Sequence, residues 1–333
     1  MTALIRMIAP IVCTNPTRLV RPAQTTMEKL LIRLVPDGCD LRLGFGCSGP
    51  LGKGWFSEAK TAHLVRAALE GGVAHFDTAG FYGEAEARLG AILGEAPSSE
   101  VFISTKTGTK VAGGGLIKDF SESAMRADVE ASLRRLRRER LDLVYLHGPD
   151  DDQLAESEAL LVRLKEEGKI RFAGVCGDGA GLSAAVAAPF IDVVMGAYNL
   201  LRRSHAPVFA EAKRCGKAVV AIEPLAQGLY RNALFAPTSL ADVWGLARAL
   251  TRNRGRLAEA RKARAALDIP GWSLGGAALA FSLSNPDIDI AVTTTTKTEH
   301  LAESLEAARR ALPEAALQRL RGLAPGGIDP RRA

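Results

Sequence analysis

The chain has 333 residues, 47% hydrophobic and 24% charged, with a formal net charge of +6. That balance supplies a large core and excludes a disordered chain. No apolar run reaches the ~18 residues of a membrane span, and the basic surplus comes with no recognisable nucleic-acid module. Cys13, Cys39, Cys47, Cys176 and Cys215 form no CxxC pair, which argues against zinc and disulfide frameworks and for a reducing, cytoplasmic setting.

Residues 1–38 read as an extension outside the fold, either a flexible tail or an over-long start with Met27 as an alternative first residue. Arg6, Arg18, Arg21, Lys29 and Arg33 outnumber Glu28 and Asp37, and Pro10, Pro16, Pro22 and Pro36 interrupt any long element. From Leu41 onward short apolar runs alternate with longer helical patterns. Strands are expected over 41–46, 73–76, 101–105, 141–146, 170–175, 191–196, 217–222 and 288–293. Helices are expected over 57–70, 84–94, 121–137, 153–167, 179–187, 205–214, 241–266, 271–283, 298–310 and 313–322. Ser57 and Ser121 stand where helix caps belong. Strands that alternate with helices pair in parallel. Such units over 39–325 predict a single α/β domain, a closed (β/α)8 barrel, with a short tail at 326–333.

Gly44-Phe45-Gly46-Cys47-Ser48-Gly49 satisfies GxGxxG, the signature of a dinucleotide loop. A Rossmann loop needs a helix to open at once, so that its N-terminus meets the pyrophosphate. Here Pro50, Gly52 and Gly54 follow and the helical pattern waits until Ser57. The better reading is a first barrel strand and a glycine-rich loop. The basic stretch Arg248 to Arg264 reads as the solvated face of a helix.

Three strand ends carry chemistry. The second runs into Asp77 and, five residues on, Tyr82; the third ends in Lys106; the fourth ends in His147. Catalytic groups collect at the C-terminal ends of barrel strands. Each residue alone has a plain structural use, but four at one barrel mouth make a proton-transfer set. When a carbonyl is reduced, its oxygen gains charge and needs a proton donor. Lys106 is expected to lower the pKa of the Tyr82 phenol, Asp77 to keep Lys106 charged, and His147 to donate to the substrate oxygen. No side chain supplies a hydride, so a cofactor must.

These residues resemble the aldo-keto reductases. Leu43-Gly44-Phe45-Gly46, Phe76-Asp77-Thr78-Ala79-Gly80-Phe81-Tyr82-Gly83, Ser104-Thr105-Lys106 and Asp142-Leu143-Val144-Tyr145-Leu146-His147 match that family's pattern in order and spacing, from about Leu41 to Leu323. The resemblance implies a barrel that reduces aldehydes and ketones with NADPH, NADH being possible, or runs the reverse oxidation on an alcohol or sugar. It makes Tyr82 the general acid/base, with Lys106, Asp77 and His147 in support.

The same resemblance places a cofactor along the mouth, with departures. Gly46 and Cys47 lie in the first loop. Where the family usually has Ser-Asn, Cys176 and Gly177 stand here; Met195 replaces a usual Gln; Ile222 replaces a stacking aromatic. Pro224, Leu225, Gln227 and Gly228 match the pyrophosphate loop. Thr294, Thr295, Thr296, Lys297, His300, Glu303 and Ser304 match the adenosine-phosphate loop, with His300 where Arg is frequent and Ser304 where Asn is frequent. The departures raise an alternative: a barrel enzyme with lost or altered nicotinamide binding, using Tyr82 and His147 for elimination, isomerisation or cyclisation. Trp55, Phe81 and His147 are candidate substrate contacts, and the loops at 47–56, 107–119, 148–152 and 229–238 are candidate specificity elements. The expected partner is a small carbonyl or alcohol, not a nucleic acid or a membrane.

Overall fold

The computed structural model describes residues 32–94, 100–226, 230 and 254–323. Among the described residues ten strands appear in order: β1 Leu43–Gly46, β2 His75–Asp77, β3 Phe102–Thr107, β4 Thr109–Ala112, β5 Gly115–Lys118, β6 Leu141–His147, β7 Ile170–Cys176, β8 Val193–Ala197, β9 Ala218–Ile222 and β10 Ile290–Thr293. The helices are α1 Glu58–Glu70, α2 Ala85–Leu93, α3 Glu122–Leu136, α4 Asp151–Glu156, α5 Glu158–Glu166, α6 Gly179–Ala187, α7 Ala206–Arg214, α8 Arg254–Leu267, α9 Leu274–Leu283, α10 Thr298–Ala308 and α11 Glu314–Gly322. A closed parallel barrel runs β1-β10-β9-β8-β7-β6-β3-β2, and β4 and β5 form a separate antiparallel hairpin.

Alternation along each strand divides the interior in two. One parity faces the lumen, where Phe102, Leu143, Tyr145, Cys176, Val193, Met195, Ala218, Val220, Ile290 and Val292 pack together. The other parity, with Ile103, Val144, Leu146, Val175, Val194 and Val219, meets the apolar faces of the helices. In α3, Met125, Val129, Leu133 and Leu136 recur at helical spacing and are buried. Gly174 makes room in the lumen, since a Cβ there would lie 2.6 Å from the Tyr145 ring.

The capping signals in the sequence are used. Ser57 accepts from Lys60 N and Ser121 from Ala124 N. Asp150 opens α4 with a capping box through Gln153, and Asp151 and Asp152 fill its first turn, where carboxylates suit the helix dipole. The helix expected over 153–167 divides at Ser157, whose hydroxyl donates back to the Gln153 carbonyl at 2.6 Å. The GxGxxG stretch ends β1 and passes into a 3-10 turn at Gly49–Gly52, so no dinucleotide helix follows.

Two expectations change. Residues 32–38, assigned above to the extension, include Leu34, which packs in the lumen cluster at 2% exposure. Its carbonyl lies 2.9 Å from His75 Nδ1, at the barrel end opposite the strand C-termini. Because Leu34 is buried among the lumen side chains, the packed structure begins before residue 38. The stretch 107–119, read as a loop, is the β4–β5 hairpin with Thr109 paired to Lys118 and Val111 to Leu116.

Candidate active site

Asp77 closes β2, and Lys106 and His147 are the last lumen-facing positions of β3 and β6. Parallel pairing in register brings these ends together: Asp77 lies opposite Ser104, and Lys106 opposite Tyr145. Lys106 Nζ donates to Asp77 Oδ2 at 2.6 Å and to the Thr78 carbonyl at 2.8 Å. Ser104 Oγ donates to the other carboxylate oxygen at 2.8 Å. Lys106 and Asp77 are 4% and 5% exposed, so this is a buried pair whose partners hold one another in place.

Tyr82 reaches the pair from the loop after β2. Its position depends on a close backbone approach: a Cβ on Gly52 would fall 1.6 Å from the Tyr82 carbonyl oxygen. Gly83, at φ +70°, turns the chain there, and Glu84 N donates to the Gly52 carbonyl at 2.8 Å. Lys106 Nζ stands 5.1 Å from the centre of the Tyr82 ring. Phe81 bridges the set, its ring 4.7 Å from that of Tyr82 and 4.8 Å from that of His147. Behind the site, the fully buried Glu86 accepts from Thr105, Ser132 and Arg135 and fixes β3 against α2 and α3.

The electrostatics correct one expectation. Burial raises the Tyr82 phenol; Lys106 pulls it down by charge and hydrogen bond, Asp77 pushes it up again, and the net shift is upward. Lys106 therefore does not make Tyr82 a ready phenolate. Desolvation outweighs it, and the phenol is kept as a proton donor. Burial works to lower Lys106, but Asp77, then Tyr82, outweigh it and the ammonium is held charged. His147 is pushed down to about 4 by burial, then by Lys118 and Lys106, against Asp77. It is neutral at neutral pH.

The ends of β7, β8, β9 and β10 complete the mouth. Cys176 and Cys47 are buried thiols pushed up to about 12, chiefly by burial. Met195 pairs with Cys176 across the strands and is fully buried in the lumen. Gly177 follows Cys176, and Ile222 is the partly buried last residue of β9. Asn199, fully buried, spends its amide on the backbone: Nδ2 donates to the Glu223 carbonyl at 2.9 Å and Oδ1 accepts from Leu201 N. The turn that holds Pro224 and Leu225 is flanked by Glu223 at φ 57° and Ala226 at φ 48°. Such left-handed, non-glycine backbone gathers at ligand sites. Gln227 and Gly228 lie outside the described residues.

The loop after β10 is ordered by its own hydroxyls. Lys297 N donates to Thr295 Oγ1 at 3.1 Å, and Thr294 Oγ1 lies 3.3 Å from Ser48 Oγ, joining it to the loop after Gly46. Thr294, Thr296 and Lys297 are exposed. Lys297 is the N-cap of α10 and makes no side-chain cap, so the first N–H groups of that helix remain to be satisfied. His300 is half-buried one turn inside, and Glu303 accepts from Ser273 at 3.0 Å. Ser304 turns its hydroxyl back to the His300 carbonyl at 2.8 Å.

Of the substrate candidates, Phe81 and His147 sit within the group, whereas Trp55 is 76% exposed and touches the ring of Phe56. Sequence reasoning missed the hairpin, although Thr109 Oγ1 lies 2.8 Å from His147 Nδ1 and Lys118 donates to the His147 carbonyl. The signal was present: Gly113-Gly114, both at positive φ, is a two-residue hairpin turn between two short runs.

The model of the Aldo/keto reductase family matches residues 42–325. L-galactose dehydrogenase of Arabidopsis thaliana is 31% identical over 203 residues, 56% of this chain and 62% of that one. D-threo-aldose 1-dehydrogenase of a Pseudomonas species is 31% identical over 169 residues, 42% and 51% of the two chains. The matched spans thus cover about half to three-fifths of those relatives. Glycerol dehydrogenase of Gluconobacter oxydans superposes with a TM-score of 0.70 at 25% identity, over 87% of this chain and 94% of that chain. An aldo-keto reductase of Bacillus halodurans in its holo form gives a TM-score of 0.72 at 24% identity, over 86% and 93%.

Proposed function

The chain belongs to the aldo/keto reductase family, and from that premise we propose that it transfers hydride reversibly between NADP(H) and a small carbonyl, alcohol or sugar, with Tyr82 as general acid/base. The observation that carries the reading is the buried Asp77–Lys106 pair set against the Tyr82 ring. When bound, the nicotinamide supplies the hydride. As the carbonyl carbon is reduced, the Tyr82 O–H gives its proton to the carbonyl oxygen. Lys106 stabilises the phenolate left behind, Asp77 keeps Lys106 charged, and His147 donates an N–H to the same oxygen. Phe81 shields the reacting oxygen from water. The reverse oxidation returns the proton to the phenolate.

The residues present fit a phosphate-bearing cofactor. The uncapped start of α10 suits an anion, and Lys297 and His300 stand beside it for a 2′-phosphate. The left-handed turn around Pro224 and Leu225 suits a pyrophosphate. The test is a fluorescence titration with NADPH and NADH, followed by turnover of a carbonyl and sugar panel by the parent and by Tyr82→Phe. Micromolar cofactor binding in both proteins, with turnover lost only in the variant, supports the reading. Unchanged turnover in Tyr82→Phe refutes it.

A second reading keeps the proton-transfer set without redox chemistry. Cys176, Met195 and Ile222 motivate it, because two are buried hydrophobes of the lumen and Asn199 is consumed by the backbone. Cofactor-free turnover, with no NAD(P)H binding by calorimetry, selects this reading over the first.

A further inference from the structure

The base of the β4–β5 hairpin is joined to the active-site histidine by three contacts. Thr109 Oγ1 lies 2.8 Å from His147 Nδ1 and 3.4 Å from the His147 carbonyl oxygen. Lys118, paired with Thr109 across the hairpin, donates to Thr109 Oγ1 at 3.0 Å and also to that same carbonyl. These contacts restrict where hydrogens can sit. An ammonium only donates, so Lys118 occupies a lone pair of the Thr109 hydroxyl. The hydroxyl has one hydrogen and two acceptors in reach. The carbonyl is at the long limit and is already served by Lys118; Nδ1 is at ordinary hydrogen-bond distance. The hydrogen therefore goes to Nδ1, which must offer its lone pair.

The charge around the ring points the same way. Lys118 approaches from the hairpin, Lys106 from β3 and Asp77 from β2; the two ammoniums add to burial in opposing a second proton on the ring, and Asp77 alone favours it. A neutral imidazole has one N–H. With Nδ1 acting as acceptor, that N–H is on Nε2, which has no hydrogen-bond partner among the described residues. The opposite tautomer would present a lone pair at Nε2 and could not donate to a carbonyl oxygen.

We infer that the hairpin base, through Thr109 and Lys118, sets the tautomer of His147 and makes Nε2–H the donor offered to the substrate oxygen. Thr109 and Lys118 are positioning residues; they act through the ring. The use of that donor rests on the function proposed above, but the tautomer does not.

The test is nitrogen-15 NMR of the full chain labelled at histidine, without cofactor or substrate, with His147 assigned by its loss in His147→Gln. The expected spectrum shows an unprotonated Nδ1 and a protonated Nε2 at neutral pH. Thr109→Val keeps the side-chain shape and is expected to release the ring toward the Nδ1–H form; Thr109→Ser is expected to preserve the parent spectrum. In turnover, Thr109→Val is expected to lower kcat about tenfold, the loss of one hydrogen bond to the transition state, with cofactor Kd unchanged and Thr109→Ser within about twofold of the parent. Lys118→Met removes one opposing charge and is expected to move the His147 titration up from about 4 toward its ordinary value. A parent protein with Nδ1 protonated overturns the inference, as does a Thr109→Val spectrum identical to the parent. Because the spectra need no catalysis, either result stands whether or not the enzyme proves to use NADPH.

Discussion

At the ends of β2, β3 and β6 the barrel mouth is held by charge and hydrogen bonds, while at the ends of β7, β8 and β9 it is held by apolar contact and unusual backbone. On the first side Asp77, Lys106 and Ser104 satisfy one another inside the lumen, and the Tyr82 loop is set by the Gly52 approach. On the second side Cys176, Met195 and Ile222 offer little hydrogen bonding, and Asn199 is spent on bracing the left-handed turn at Glu223. Under the proposed function, the two sides would carry two tasks of one site that need different tolerances. Proton transfer requires groups fixed within hydrogen-bond reach. Holding a large cofactor can be shared among backbone N–H groups, a helix start and shape, so individual side chains are replaceable.

The comparison breaks most severely if the buried pair is severed. Lys106→Met leaves Asp77 uncompensated and is expected to cost about 3–5 kcal/mol, read by denaturant unfolding, with turnover abolished. The double variant Asp77→Leu/Lys106→Met is expected to regain most of that stability and none of the activity. Tyr82→Phe separates chemistry from stability: turnover is expected to fall by roughly 10²–10⁴-fold, while the unfolding midpoint and the cofactor Kd stay near the parent. Gly52→Ala tests the backbone approach. A Cβ 1.6 Å from the Tyr82 carbonyl forces the loop apart, and a loss of about 1–3 kcal/mol is expected, together with slower turnover.

Acid exposes the neutral His147. Its folded pKa, about 4, lies below the ordinary 6.5, so between those values the unfolded chain binds a proton that the folded chain does not. Stability is therefore expected to fall as pH drops from about 6.5 to about 4, and the fall should be smaller in His147→Gln, the remainder coming from His75, which burial also holds below its ordinary value. The raised Tyr82 phenol gives the opposite flank: carbonyl reduction is expected to persist into alkali and decline only above the ordinary phenol range. The smallest effect sharpens the weaker side. Cys176→Ser puts a hydrogen-bonding group near the lumen rim, worth ~1 kcal/mol, and is expected to tighten NADPH about fivefold by fluorescence titration.

Much of this architecture was written in local pattern. Alternation of apolar runs with helical spacing, ended by Gly and Ser at caps, defines the barrel without reference to distant residues, because pleat and helix periods are local properties of the chain. Asp77, Lys106 and His147 were legible for a related reason: each is the last lumen-facing position of its strand, and parallel pairing places such positions side by side. What folding alone decided concerns groups far apart in sequence or pulled by opposing forces. The packing of Leu34 beneath β2, the contact of Thr109 and Lys118 with His147, and the upward shift of the Tyr82 phenol are all of this kind. Desolvation and long-range hydrogen bonding depend on what surrounds an atom in space, and only the closed barrel fixes those surroundings.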